Sequence, residues 1–213
     1  MLEIVILYNI LVFGGKVFKA GSWFSCMIIG LTGPICAGKD EVAKVLVKLG
    51  FRRLSLSDEI RTEMQQRNIL LTRENIQDYG DSIRRHEGAG AWARKVIAKI
   101  NPEFDYVVDS IRNPGEVEEF RKIGNFHLIK IYAPSKLRFA RMVKRGREQD
   151  PGSFSDFEKL EMKDLGIGQP DYGQQHAQCF ALADKEIINE GTLEKLAELV
   201  EELFESIKHK SLD

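Results

Sequence analysis

The chain has 213 residues, 43% of them hydrophobic, which is enough apolar material for one well-buried domain of ordinary size and too little for a second full one. A formal net charge of −1 excludes a broad basic surface, so long nucleic acid is not an expected partner and any cationic site is local, suited to a small anionic ligand. Three cysteines, Cys26, Cys36 and Cys179, are widely separated and include no C-x-x-C, which argues against a disulfide framework or a zinc site and fits a reducing cytosol.

Residues 1–26 carry a strongly apolar run, 4–13, that is interrupted by Asn9 and followed by Gly14-Gly15-Lys16. The run is too short to span a bilayer comfortably and lacks the basic region that precedes a secretory core, so no membrane association is expected. Residues 1–26 read as an extension outside the core, with the domain proper beginning at Met27, and no chemistry rests on them.

Residues 27–31 form an apolar run that reads as a buried parallel strand. Directly after it, Gly33-Pro34-Ile35-Cys36-Ala37-Gly38-Lys39 has the form G-x-x-x-x-G-K. Residues 41–47 continue as a helix, with Val42, Val45, Leu46 and Leu49 apolar at helical spacing. Two glycines let the backbone wrap close to phosphate oxygens, the loop N–H groups and the helix N-terminus favour negative charge, and the lysine reaches the outer phosphates. The expected phosphate-binding set is Gly33, Pro34, Ile35, Cys36, Ala37, Gly38, Lys39, Asp40 and Glu41. Asp40 stands where Ser or Thr normally offers Mg²⁺ a hydroxyl, so either its carboxylate meets the metal directly or the metal is held through water.

A second strand, 52–56, passes into a helix at Ser55-Leu56-Ser57-Asp58-Glu59-Ile60-Arg61. Asp58 and Arg61 share a helix face. A Ser57 cap with a surface ion pair is the bland reading; beside a phosphate loop, Arg61 reads instead as a clamp on an anionic acceptor and Asp58 as a base toward an acceptor hydroxyl. Arg84 and Arg85 lie near the end of the next helix, in an expected acceptor-binding insertion. The third strand, 106–109, ends in Asp109, the usual partner of a phosphate loop for orienting hydrated Mg²⁺. Arg112 follows in Asp109-Ser110-Ile111-Arg112-Asn113-Pro114-Gly115-Glu116, where Pro114 and Glu116 suit a first helical turn and the arginine can grip an acceptor phosphate bidentately.

A fourth strand, 126–132, precedes a helix in which Arg138, Arg141 and Arg145 form one stripe, with Lys144 and Arg147 beside it and a polar loop over 146–152. Such a run is often only a solvated face; in phosphoryl transfer a mobile arginine-rich lid neutralises the transferred group and excludes water. Residues 153–165, apolar at Phe154, Phe157, Leu160 and Leu165, complete a lid of about 138–165. The fifth strand is 185–189. Strands alternating with helices predict βαβ units: a five-stranded parallel sheet with helices on both faces and the ligand crevice at the carboxyl ends of the strands.

Four segments taken together, Gly38-Lys39-Asp40, Leu56-Ser57-Asp58-Glu59-Ile60-Arg61, Asp109-Ser110-Ile111-Arg112-Asn113-Pro114-Gly115-Glu116 and Ala183-Asp184-Lys185-Glu186-Ile187-Ile188-Asn189-Glu190-Gly191-Thr192, resemble the P-loop kinase group that contains nucleoside monophosphate kinases and dephospho-CoA kinase. The likeness runs from Met27 to the last helix. It is nearest to adenylate-kinase-like proteins of prokaryotes and to the kinase-like domain N-terminal to some deoxycytidylate deaminases; Gly-Lys-Asp is similar to phage deoxynucleoside monophosphate kinases. The resemblance implies the three-layer P-loop NTPase fold with ATP and Mg²⁺ as cofactors. It implies Lys39 and the loop amides on ATP, Asp40 and Asp109 near the metal, Arg61 and Arg112 toward the acceptor, and Arg141 and Arg145 acting from the lid. Asn189, Gly191 and Thr192 match the segment beside the adenine ring. The Asp-Gly-x-Pro-Arg pattern of adenylate kinases is absent, as is the Asp-x-Asp of dephospho-CoA kinases, and no H-x-E with P-C-x-x-C marks a deaminase half.

A phosphate acceptor needs positive clamps where a sugar hydroxyl needs a base. The arginines therefore favour ATP-dependent phosphorylation of a nucleoside or deoxynucleoside monophosphate, with Lys39, Asp58, Arg141 and Arg145 as the expected catalytic set and Asp58, Arg61, Arg84 and Arg112 as the acceptor set. Dephospho-CoA kinase, with Asp58 as base, is the alternative enzyme, and a nucleotide-binding regulatory module with little turnover is the alternative class. A mechanical AAA-type ATPase is disfavoured because no second acidic residue accompanies Asp109. The expected partner is a small nucleotide in the cytoplasm, without long nucleic acid or membrane and with a homodimer allowed.

Overall fold

A computed structural model describes residues 5–7, 10–13, 16–19, 26–147 and 150–210. Near the N-terminus, strands β1 (Val5–Leu7), β2 (Ile10–Phe13) and β3 (Lys16–Lys19) pair antiparallel as a sheet of their own, in register Leu7 to Ile10 and Phe13 to Lys16. These strands were not expected from the sequence; Cys26, the last residue of the 1–26 segment, is buried in the core, and the rest of that segment, with residues 148 and 149 of the 146–152 loop, lies outside the described residues.

The main sheet consists of β4 (Ile28–Thr32), β5 (Arg52–Ser55), β6 (Tyr106–Asp109), β7 (Phe126–Tyr132) and β8 (Lys185–Ile188), parallel throughout in the order β5-β6-β4-β7-β8. All five residues of central β4 are buried, as a strand covered on both faces requires. Side chains alternate between two cores. Ile28, Tyr106, Val108, Phe126 and Leu128 face a core completed by Leu56, Ile60 and Met64 of α2 (Leu56–Gln66), Trp92 and Val96 of α4 (Ala91–Ile97), Phe120 of α5 (Pro114–Arg121) and Cys179 of α8 (His176–Ala181). Ile29, Leu31, Val107, Ile129, Ile131 and Ile187 face the other, closed by Val42 and Leu46 of α1 (Lys39–Lys48) and Leu196, Val200 and Phe204 of α9 (Leu193–Lys210). At roughly 1.5–3 kcal/mol for each large side chain fully buried, these cores fix the sheet and hence the positions of its C-terminal ends.

Three further helices complete the chain: α3 (Arg73–Glu87), which packs on α2 and α4, α6 (Ser135–Arg145) and α7 (Phe154–Asp164). Phe139 of α6 packs its ring 5.4 Å from Phe154 and 5.6 Å from fully buried Phe157, which joins α6 and α7 into one unit. Arg73 of α3 pairs with Asp164 of α7 at 3.3 Å, so the unit reaches across to the insertion. No described helix is long and apolar enough to cross a membrane.

Candidate active site

The chain leaves β4 through residues 33–38, and two glycines are obligatory there. Gly33 has φ of +143° and a Cβ on it would stand 2.2 Å from the Ile131 carbonyl oxygen; Gly38 has φ of +105° and a Cβ would stand 2.2 Å from Asn189 Nδ2. Cys36 also takes a left-handed φ of +58°, uncommon for a residue with a side chain. The backbone N–H groups of Gly38, Lys39 and Asp40 have no acceptor among the described residues, which leaves three donors at the positive end of α1. Lys39 Nζ donates to the carbonyls of Gly33 (2.7 Å) and Pro34 (2.9 Å). Burial, and then the neighbouring Arg112, push its ammonium down to about 8, against the opposing pull of Asp40 and Asp109. This is the geometry of a phosphate-binding loop with a charged lysine at its mouth.

The two expected metal carboxylates converge. Asp109 ends β6, buried, with Oδ1 accepting from Ser110 Oγ at 2.9 Å; Ser110 holds a left-handed φ of +65°. Asp40, on the first turn of α1, is exposed. Between them lies Arg53 of β5, whose Nε donates to Asp109 Oδ2 (2.7 Å) and whose Nη2 lies 2.5 Å from that oxygen and 2.6 Å from Asp40 Oδ1. Among the described residues no group of three or more His, Cys, Asp or Glu is placed to hold a metal. Two carboxylates meeting at one cationic atom match a hard ion whose remaining ligands are phosphate oxygens and water, so the donor set fits Mg²⁺ bound with nucleotide. Sequence reasoning gives Arg53 no role, because its partners stand 13 and 56 residues away and come together only once β5 and β6 pair.

On the acceptor side the expected residues separate. Arg112 is half-buried beside Lys39, and its guanidinium makes no hydrogen bond or ion pair with any described residue. Burial and Arg84 lower its pKa, while Asp164 of α7 opposes them. The same pocket raises the Asp164 carboxyl through burial, against Arg112, Arg73 and Lys39, and drives His176 well below the usual imidazole range. His176 Nε2, and Gln174 Oε1 two residues before it, are buried without a hydrogen-bond partner among the described residues. None of Asp164, Gln174 and His176 stands out in the sequence; they come from loops and helices without a motif.

Arg84, expected on the acceptor side, is 3% exposed, with Nε on Glu116 (2.9 Å) and Nη1 on Asp81 (2.8 Å). Glu116, fully buried, accepts from the backbone N–H of Arg112 (2.8 Å) and Asn113 (3.1 Å) through its other oxygen and so completes the capping box of α5. Through Glu116, Arg84 is thus tied to the backbone of the Arg112 segment. Arg61 is half-exposed and bonds Ser57 Oγ and, at 3.5 Å, Asp58 Oδ1; Asp58 is exposed. The cap of α2 is Ser55, which accepts from Asp58 N, and not Ser57.

The arginine stripe divides too. Arg138 is buried and holds the Ala133 carbonyl (2.6 Å), the Ile35 carbonyl of the loop (3.3 Å) and Glu161 of α7. Arg141 donates to the Asn189 carbonyl (3.0 Å) and side chain (3.2 Å), and Asn189 Nδ2 donates to the Ala37 carbonyl at 2.8 Å. Arg145 forms a two-pronged pair with Asp150 at 2.6 and 3.2 Å. Thr192 caps α9 through Lys195 N (3.3 Å), with Gly191 packed on the Lys195 side chain. Arg138, Arg141 and Asn189 thus brace the loop, and Arg145 is the stripe's exposed member.

Residues 29–165 match a family described as an AAA domain. A UPF0200 protein of Sulfurisphaera tokodaii is 37% identical over 185 residues, covering 84% of this chain and 97% of that protein. The chain belongs to the UPF0200 family. Another member, from Methanosarcina mazei, is 32% identical over 190 residues, covering 87% of this chain and 98% of the relative. Solved structures share the fold at low identity. TT1252 from Thermus thermophilus gives a TM-score of 0.54 at 17% identity over 85% of this chain and 97% of its own. A shikimate kinase from Acinetobacter baumannii in complex with shikimate gives 0.51 at 17% over 87% and 96%. This UPF0200 chain therefore has the three-layer α/β core of the P-loop kinases, in agreement with the resemblance read from its motifs.

Proposed function

We propose that the chain is an ATP-dependent phosphotransferase whose acceptor is itself a phosphate, that of a nucleoside or deoxynucleoside monophosphate, acting in the cytoplasm on small nucleotides. The observation that carries this reading is Arg112: a half-buried guanidinium beside the loop lysine with no hydrogen bond or ion pair among the described residues. A buried, unpaired cation is costly unless an anion completes it. Lys39 and the open N–H groups of α1 hold the donor phosphates, and Arg112 draws the acceptor phosphate toward them. An acceptor oxygen then attacks the terminal phosphorus in line as the bond to the bridging oxygen breaks and ADP leaves. The acceptor is already an anion, so no base is required, which accords with the exposed position of Asp58. Asp40 and Asp109 would hold Mg²⁺, which supplies charge neutralisation on the phosphates.

The test is a screen of ATP and Mg²⁺ against all ribo- and deoxynucleoside monophosphates and dephospho-CoA, with Lys39→Ala as control. Acceptor-dependent ADP with at least one monophosphate supports the reading. Turnover of dephospho-CoA alone, or tight nucleotide binding without acceptor-dependent ADP, refutes it.

A further inference from the structure

Arg53 takes no part in the reaction just described, yet it holds the two carboxylates on which the metal depends. The guanidinium fork donates to both, Nη2 to Asp40 Oδ1 at 2.6 Å and Nε to Asp109 Oδ2 at 2.7 Å, and Nη2 lies 2.5 Å from Asp109 Oδ2 as well, so one nitrogen stands between the two carboxylates. A divalent ion that engages both oxygens needs the position of that nitrogen. Two cations cannot share it, since their repulsion at a few ångströms is large in a half-buried setting. The contest is uneven for a bare ion: Mg²⁺ gives up its water reluctantly, whereas the guanidinium is weakly hydrated and presents a preformed fork. An ion that arrives on nucleotide phosphates brings its own ligands and negative charge, and so does not depend on the carboxylates alone. Arg53 has room to leave, because β5 is an edge strand and the side chain is 37% exposed.

We propose that Arg53 is a resident counter-cation that closes the Asp40–Asp109 pair to free divalent ions and gives way when the metal arrives bound to nucleotide. It keeps the charge of buried Asp109 compensated before loading and makes the site selective for the metal–nucleotide complex. The inference rests on reading the loop as a metal–nucleotide site, and it is independent of the acceptor and of turnover.

The test is titration of the full chain with Mn²⁺, followed by the spin-resonance signal of the free ion, without nucleotide and with a non-hydrolysable ATP analogue. Without nucleotide, Arg53→Gln is expected to bind Mn²⁺ about tenfold or more tightly than the wild type, the scale set by loss of a charge-assisted pair. Arg53→Lys, a point charge that cannot span both carboxylates, is expected to fall between them. Adding Asp40→Asn, at an exposed position, to Arg53→Gln is expected to abolish the gain. Equal affinities in Arg53→Gln and wild type overturn the proposal, as does a gain that survives Asp40→Asn. Should Arg53→Gln fail to give a native circular dichroism spectrum and melt, Arg53→Lys decides: a gain over wild type supports the proposal and no gain overturns it. Failure of the wild type to bind Mn²⁺ with nucleotide would refute the nucleotide-site reading, and is measured separately from the comparison without nucleotide.

Discussion

At Gly33 the backbone leaves no space for a side chain: φ is +143° and a Cβ placed there would meet a backbone oxygen at 2.2 Å. Gly33→Ala combines strain at that φ with overpacking against β7, and is expected to cost about 2–4 kcal/mol of stability in urea denaturation and to weaken ATP-analogue binding. Lys39 makes a second, pH-dependent prediction. Its ammonium is pushed down to about 8, so it is charged below that value and loses charge as pH rises through it. Affinity for an ATP analogue, measured calorimetrically, should be flat in mildly acidic and neutral solution and fall above about pH 8, by at most about tenfold per pH unit. Binding in that upper range should take up a proton. Lys39→Ala should bind weakly at every pH, with the slope gone.

The elements show what makes a site readable. The N-terminus of α5 is legible because its signal is local: Asn113, Pro114 and Glu116 form the cap within four residues. Arg84 is not, since its partner Glu116 lies 32 residues away on another helix and nothing in the α3 sequence distinguishes a buried arginine from a surface one. The consequence is testable. Arg84→Ala leaves the fully buried Glu116 carboxylate uncompensated and should cost about 3–5 kcal/mol of stability. It should also raise the acceptor KM, because Glu116 pins the Arg112 backbone. A raised KM with unchanged stability would instead indicate direct contact between Arg84 and the acceptor. The N-terminal strands escape a sequence reading for a different reason. Residues 4–13 look like one apolar run, and that continuity hides the hairpin signal of Gly14-Gly15 between two apolar stretches.

Over the whole molecule, the five strands of the parallel sheet are legible from their alternation with helices, and with them the crevice at the carboxyl ends of β4 and β6, beside the loop and Asp109. The bracing across that crevice is not, because it depends on pairs such as Arg73 with Asp164, 91 residues apart. This pair joins α3 to α7. Because it is partly exposed, its worth is small. Arg73→Ala is expected to speed hydrogen exchange in α7 by about two- to fivefold while α1 and α9 are unchanged. If the crevice is a two-substrate site in which Arg112 receives an acceptor phosphate, acceptor-dependent ADP formation by wild type and Arg112→Ala reveals it. ADP formation is expected with at least one nucleoside monophosphate, and in Arg112→Ala a loss of kcat/KM of about 100-fold or more with ATP affinity nearly preserved. ADP formation with no monophosphate, or equal activity in the two chains, would contradict it.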